Sequence, residues 1–249
     1  MTEEFILKTK DLTKYFVTRQ VFNSRKNTAV DRLDLAVRKG EIFGFLGPNG
    51  AGKTTTLNMI MGITEPNSGE IEIFGRPHRP GSVEALKKIG YVPETTSLPG
   101  YFTVVELLDF YGRIFEIPTK TLFARIGELL EMFGLVDVRH SLIENLSMGQ
   151  VRLVDIMQAL INDPELILLD EPTVYLDPLI MERFRNILLK LKESGKTIFM
   201  SSHTLPEIQR LSDRIAIISH GKLKKTGMKS EFLKDGSIEG EFLRIVKET

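Results

Sequence analysis

Cysteine is absent from the 249 residues, which removes disulfides and thiolate metal centres together and suits a reducing compartment. Neither sign of charge is in excess, since 33 Lys plus Arg balance 33 Asp plus Glu. Such a chain offers no bulk field for a polyanion, so no nucleic-acid partner is expected. Long apolar runs are missing too. The start, Met1-Thr-Glu-Glu4, is acidic and no apolar segment after it reaches spanning length. Neither a signal peptide nor a membrane helix is therefore expected, although a chain without a span can still dock on a membrane protein. No internal repeat or low-complexity tract interrupts the sequence. The length allows one large domain, or a domain with a lobe.

Short β-rich runs alternate with helical stretches, which predicts an α/β fold with a largely parallel sheet. Strands are expected at Ile42–Leu46, Glu70–Phe74, Ile89–Val92, Leu166–Leu169, Thr197–Ser201 and Arg214–Ile218. Phe5–Thr13 and Val30–Val37 read as an antiparallel pair, with Thr18–Asn27 as a longer connection. From Thr103 to Ile161 strand signals vanish, so a helical lobe is expected to interrupt the core. Thr103-Val-Val-Glu106 and Ser147-Met-Gly-Gln150 are capping boxes that open two of its helices, and Gly134 closes another. Asp177-Pro178 opens a later helix, and Ile238–Val246 a short amphipathic one packed on the body. The resulting division is a single domain over 1–249. Its α/β core with an antiparallel β part spans 1–95 and 163–235, the helical part 96–162 and a tail 236–249.

Residues 47 to 54 read GPNGAGKT directly after the apolar run ending at Leu46. This is the phosphate-binding pattern G-x-x-x-x-G-K-[ST], placed where a buried strand turns into a helix. By chance the bare pattern arises in roughly one chain in a hundred of this length, given ordinary glycine usage. Gly47, Gly50 and Gly52 let the loop Gly47-Pro48-Asn49-Gly50-Ala51-Gly52 curl so that successive N–H groups from Asn49 through Lys53, Thr54 and Thr55 face one concavity. The helix adds its positive end. Lys53 supplies a mobile charge for phosphates, and Thr54 a hard oxygen for Mg²⁺. The apolar strand Leu166–Leu169 then ends in Asp170 and Glu171. Strand alternation predicts separate tasks for these acids: Asp170 for Mg²⁺, Glu171 for orienting or deprotonating a water.

Gly47–Thr55, Leu146-Ser-Met-Gly-Gln150, Leu166–Pro172, Leu176-Asp177 and Ser201-Ser-His203 stand in the order of the ATP-binding-cassette family, which this chain resembles from Phe5 to about Leu233. The resemblance implies an Mg²⁺-dependent ATPase of P-loop fold. It also implies a head-to-tail dimer, homo- or heteromeric, in which Ser147, Gly149 and Gln150 of one subunit meet the ATP on the phosphate loop of the other. His203 matches the switch histidine, Asp177 an interface aspartate, and Phe16, with Tyr15 as runner-up, the aromatic that stacks on adenine. Glu94 stands where a magnesium-contacting glutamine is usual and resembles the branch serving drug, antibiotic, sodium and polysaccharide exporters. That branch implies a cytoplasmic motor held peripherally on the membrane by integral permease subunits. Met148 replaces a glycine of the signature, and Val174-Tyr175 replace small residues before Leu176. The alternatives are an ABC-type ATPase outside transport, or the less active member of a heterodimeric pair.

Overall fold

The computed structural model describes residues 4–19, 24–174, 176–233 and 237–247. Its elements are β1 (Phe5–Arg19), β2 (Ser24–Arg38), β3 (Ile42–Leu46), α1 (Lys53–Ile60), β4 (Ser68–Ile73), β5 (Arg76–Pro77), α2 (Val83–Leu86), β6 (Ile89–Val92), α3 (Val104–Ile114), α4 (Thr119–Phe133), α5 (Met148–Leu160), β7 (Leu166–Asp170), α6 (Pro178–Glu193), β8 (Thr197–Ser202), α7 (Leu205–Leu211), β9 (Arg214–Ser219), β10 (Lys222–Met228) and α8 (Glu239–Lys247). One sheet runs β10-β9-β3-β8-β7-β6, parallel except for β10; the other runs β2-β1-β4-β5 and is antiparallel. This is the α/β core with an antiparallel β subdomain and a helical lobe that the alternation of elements predicts, arranged as the P-loop NTPase fold that the resemblance implies.

The core strands are buried on both faces, and their alternate side chains serve different layers. Ile42 and Leu46 of β3, Ile167 and Leu169 of β7, and Ile198 and Met200 of β8 pack with the lobe, α6 and α7. Phe43 and Phe45, Leu166 and Leu168, and Phe199 pack instead with α1 and the antiparallel sheet. Phe199 lies with its ring centroid 5.4 Å from both Phe43 and Phe45. The sheet is thus clamped from two sides, which fixes the ends of its strands.

In the lobe, Thr103 and Ser147 both form the expected capping boxes. Gly134 ends α4 in the left-handed region at φ 63°. Asp177 caps α6 with Pro178 in the first turn.

Three expectations are corrected. Thr18–Asn27 is not a simple connection: β1 and β2 extend through Arg19 and from Ser24, paired as far as Arg19 with Ser24. Residues 20–23 lie outside the described residues. The strand expected at Glu70–Phe74 is β4, and it pairs with β1 in the antiparallel sheet rather than joining the parallel core. Finally, β10 was not expected, because its lysine-rich Lys222-Leu-Lys-Lys225 hides the apolar alternation. Lysine on an edge strand is a standard guard against stray pairing.

Candidate functional site

Parallel pairing brings four strand ends to one edge. Leu46 lies opposite Ser202, Asp170 opposite Ser201, and Val92 opposite Leu169. The phosphate loop, the acids, His203 and the segment bearing Glu94 therefore leave the sheet side by side, where ligands of such folds sit. The loop is tied down by the Gly47 N–H, which donates to the Ser202 carbonyl (3.2 Å), and the Ala51 N–H, which donates to that of Pro48 (3.1 Å). Gly50 and Gly52 take φ of 76° and 107°, a region that disfavours other residues. A Cβ at Gly47 would run into the Ile218 carbonyl, and one at Gly52 into that of Ala29. The first N–H bonded within α1 is that of Thr56, to the Gly52 carbonyl at 2.9 Å. The N–H groups of residues 53–55 are left for an anion at the helix head. Thr54 is exposed, Thr55 half-buried.

The acids are arranged differently from the alternation argument. Asp170 is the last residue of β7, but Glu171 has left the strand with φ 46°. A backbone turn, not the pleat, separates their roles. Asp170 is fully buried; its Oδ1 accepts from the Ser201 hydroxyl at 2.5 Å, while its Oδ2 has no hydrogen-bond partner. The Ser201 oxygen in turn accepts from the Glu171 N–H at 3.0 Å. Glu171 is buried between two cationic or potentially cationic groups. Its Oε1 is 3.2 Å from Lys53 Nζ, and its Oε2 is 2.9 Å from His203 Nδ1. Lys53 is tied to the loop: besides its ion pair with Glu171, in which Oε1 accepts no hydrogen bond, it donates to the carbonyls of Gly47 (2.7 Å) and Pro48 (3.2 Å).

Among the described residues no three acidic or histidine side chains converge as a cation site of their own. The unpartnered Asp170 Oδ2 and the exposed Thr54 hydroxyl fit a Mg²⁺ ion whose shell is completed by phosphate oxygens and water. Glu94 is exposed, two residues beyond the end of β6. Behind them, Tyr91 donates to Asn58 Oδ1 (3.2 Å), and burial, reinforced by the Asp170 charge, pushes its phenol pKa up.

Phe16 is half-exposed on β1 with Lys14 Nζ 5.3 Å from its ring centre, whereas Lys26 Nζ covers the Tyr15 ring at 3.7 Å. Both aromatics lie opposite Asn27 and Thr28, next to the Ala29 that abuts Gly52. Ser147, Gly149 and Gln150 form the head of α5. Ser147 Oγ accepts from the Gln150 N–H (3.3 Å), and Gln150 Oε1 from the Ser147 N–H (2.9 Å). Gly149 is buried and the Met148 side chain exposed. Among the described residues no hydrogen bond joins this head to the phosphate loop. Tyr175 lies outside the described residues.

One functional candidate escaped sequence reading. Arg152, on α5, is 1% exposed and hydrogen-bonds the Asp170 and Glu171 carbonyls at 3.0 and 3.2 Å. The available signal was an arginine three residues before Asp155 on a helix otherwise lined with Leu153, Val154, Ile156 and Met157. Burial lowers the Arg152 pKa and raises that of Asp155, each shift opposed by the other's charge.

A model of the ABC transporter family matches residues 30–174, more than half of the chain. The chain belongs to this family. Among ABC relatives it is 43% identical over 230 residues to an uncharacterized ABC transporter ATP-binding protein of Nostoc sp. PCC 7120, covering 92% of this chain and 68% of that one. It is 42% identical over 219 residues to the bacitracin transport ATP-binding protein of Bacillus licheniformis, covering 88% and 68%. The chain thus spans about two thirds of the length of these curated relatives. Its fold is similar, with a TM-score of 0.81 and 28% identity over 90% of this chain and 98% of the other, to the ATP-binding cassette MJ0796. That cassette was solved as a dimer in a post-hydrolysis state bound to ADP and Pi. As an ABC ATPase domain homologous to transport ATPases, the chain has a fold built for ATP binding and hydrolysis.

Proposed function

We propose that this chain is the Mg²⁺-dependent ATPase subunit of an ABC exporter, bound at the cytoplasmic face of the membrane through a permease. The observation that carries the reading is Glu171. A buried carboxylate turned out of its strand stands between Lys53 and His203, beside the free oxygen of Asp170, at the mouth of a phosphate loop. A buried carboxylate held between a cation and an imidazole at the end of a strand is placed as a base for a bound water needs to be.

The loop from Gly47 to Thr55 would hold the phosphates through its N–H groups, and Phe16 would lie against adenine. Thr54, Asp170 and Glu94 would hold Mg²⁺. The ion, when bound, neutralises charge building on the β- and γ-phosphates. Lys53 would leave Glu171 for the phosphates, which frees the Glu171 carboxylate to orient a water or take its proton. As the water oxygen joins the γ-phosphorus, the bond to the ADP oxygen breaks, giving ADP and phosphate. His203, half-exposed at the same edge, would donate to the γ-phosphate side. None of this uses Ser147, Gly149 or Gln150. Their helix head suits a phosphate arriving from a second copy or a related subunit, and the dimeric state of MJ0796 supports that reading.

Transport is supported by the bacitracin transport protein, and export by a relative named as a Nod factor export ATP-binding protein, 38% identical over 222 residues. The lobe surface bears a file of aromatic contacts from Tyr101 through Phe102 and Phe110 to Tyr111, with Tyr101 75% exposed. An apolar patch on the lobe, on the polypeptide following Glu94, suits a permease loop. Among the described residues no helix is long and apolar enough to cross a membrane, so a motor role needs such a partner. Affinity purification of the tagged chain from membranes tests this: an integral membrane protein is expected in stoichiometric amount. A soluble scaffold or ribosome in its place refutes the transport reading.

A further inference from the structure

Arg152 uses every donor it has. Its Nη2 donates to the Asp170 carbonyl (3.0 Å) and the Glu171 carbonyl (3.2 Å), and Nε to the Pro172 carbonyl (3.3 Å). Nη1 faces the Pro93 carbonyl (2.6 Å), Thr96 Oγ1 (3.1 Å) and Asp155 Oδ2 (3.2 Å). Thr96 closes the set by donating to the same Asp155 oxygen at 2.8 Å. Burying a guanidinium costs more than burying a well-packed apolar side chain would, so stability alone is a poor account of it.

The geometry is specific to Glu171. The carbonyls of residues 170 and 171 belong to the two peptide planes that flank its Cα. Fixing both planes fixes φ and ψ at that residue, and with them the direction of its side chain. Glu171 holds φ 46°, a strained conformation that persists only where surroundings impose it. Arg152 holds the carbonyls of both planes, and Ser201 Oγ holds the Glu171 N–H in the first of them.

The other end of the connection is α5. Arg152 stands five residues after Ser147, so it moves with the helix whose head carries the signature. Through the Pro93 carbonyl it also grips the segment bearing Glu94.

We propose that Arg152 is a positioning residue: it sets the backbone of Glu171 and ties that setting to the head of α5. Under the ATPase reading, on which this inference rests, a phosphate bound at Ser147 from the partner's ATP biases the acid of the opposite site. Coupling of this kind needs two sites and a shared element with more than one arrangement; α5 and its arginine supply that element.

The test uses the full chain with Arg152→Lys, which keeps the charge but not the planar fork. Nucleotide affinity, steady-state turnover, its Hill coefficient and amide deuterium uptake over residues 168–176 are compared with wild type. The expected result is ATP affinity within about twofold of wild type, turnover down roughly 10–100-fold as for a misplaced catalytic group, and a Hill coefficient falling toward one. Faster uptake in that peptide should accompany these changes. Unchanged turnover and cooperativity, or equal losses of affinity and turnover, would overturn the proposal. Should Arg152→Lys not fold, the double variant Arg152→Met with Asp155→Leu removes the buried ion pair as a whole, a change often tolerated, and with it both carbonyl bonds. It should give the same split between affinity and turnover, and wild-type kinetics in it would overturn the proposal. Absence of ATPase activity in the wild-type chain would instead refute the functional reading, leaving deuterium uptake to judge Arg152 by itself.

Discussion

Replacing Glu171 by glutamine should slow hydrolysis and tighten ATP binding at once. The side chain is 5% exposed, with Oε1 3.2 Å from Lys53 Nζ and Oε2 2.9 Å from His203 Nδ1. Glutamine keeps the shape but removes the charge. Loss of a positioned base costs about 10²–10⁴-fold in turnover. The gain in binding arises because Lys53 must leave Glu171 to reach a phosphate. At 3.2 Å and an effective dielectric of about 20, the gross attraction is about 5 kcal/mol. Phosphate replaces most of it, so only a fraction of this attraction, about 1–2 kcal/mol, opposes nucleotide binding. An affinity gain of about tenfold, equivalent to about 1.4 kcal/mol, is therefore expected. Titration calorimetry with Mg-ATP and a phosphate-release assay read the two effects separately. Turnover within threefold of wild type would remove Glu171 from the chemistry. Slow turnover with unchanged affinity would show that the Lys53–Glu171 pair does not oppose nucleotide binding.

Three further predictions follow from local geometry. Phe16→Ala should weaken ATP binding by about 1–3 kcal/mol, the usual worth of base stacking on an aromatic ring, and Tyr15→Ala by less, because Lys26 already covers that ring; equal losses would reject the choice between them. Asp177 Oδ1 accepts from the N–H groups of Leu179 and Ile180, both at 2.9 Å. Asp177→Ala should therefore cost about 1 kcal/mol of stability, measurable as a lower urea midpoint, and an unchanged midpoint would contradict the cap. Burial raises the Glu41 pKa, against bonds from the Arg38 N–H and Arg214. The folded protein then holds this proton more tightly than the unfolded chain. Its contribution to stability grows as pH falls through the folded value and is absent at neutral pH. As pH falls from neutrality toward the ordinary glutamate range, Glu41→Gln should lose that part of the wild-type pH dependence in urea unfolding; identical dependence would refute the shift.

What the sequence disclosed was local. The phosphate loop, the capping boxes at Thr103 and Ser147, the Asp177 cap and the Gly134 stop each depend on residues within a few positions. All stand where expected. What it hid depends on distant pairing. The membership of β4 in the antiparallel sheet is decided by β1, some sixty residues away. The grip of Arg152 joins residues 93–96, 152–155 and 170–172, which no window contains. The positive φ of Glu171 was equally invisible, because only glycine advertises such a conformation. The lysine-rich β10 and the polar ends of the β1–β2 hairpin lack the apolar alternation by which strands are read.

If residues 47–55 are half of a site completed by a second subunit, two chains disabled in different halves should rescue one another. Mixing two disabled chains tests it. Lys53→Ala removes the loop's charge but keeps the head of α5; Ser147→Arg blocks that head but keeps the loop. Each variant alone should release almost no phosphate from ATP. If sites form between subunits, random mixing makes half of the dimers mixed, each with one complete site, and up to about a quarter of wild-type activity returns. A mixture no more active than its separate components would contradict the account.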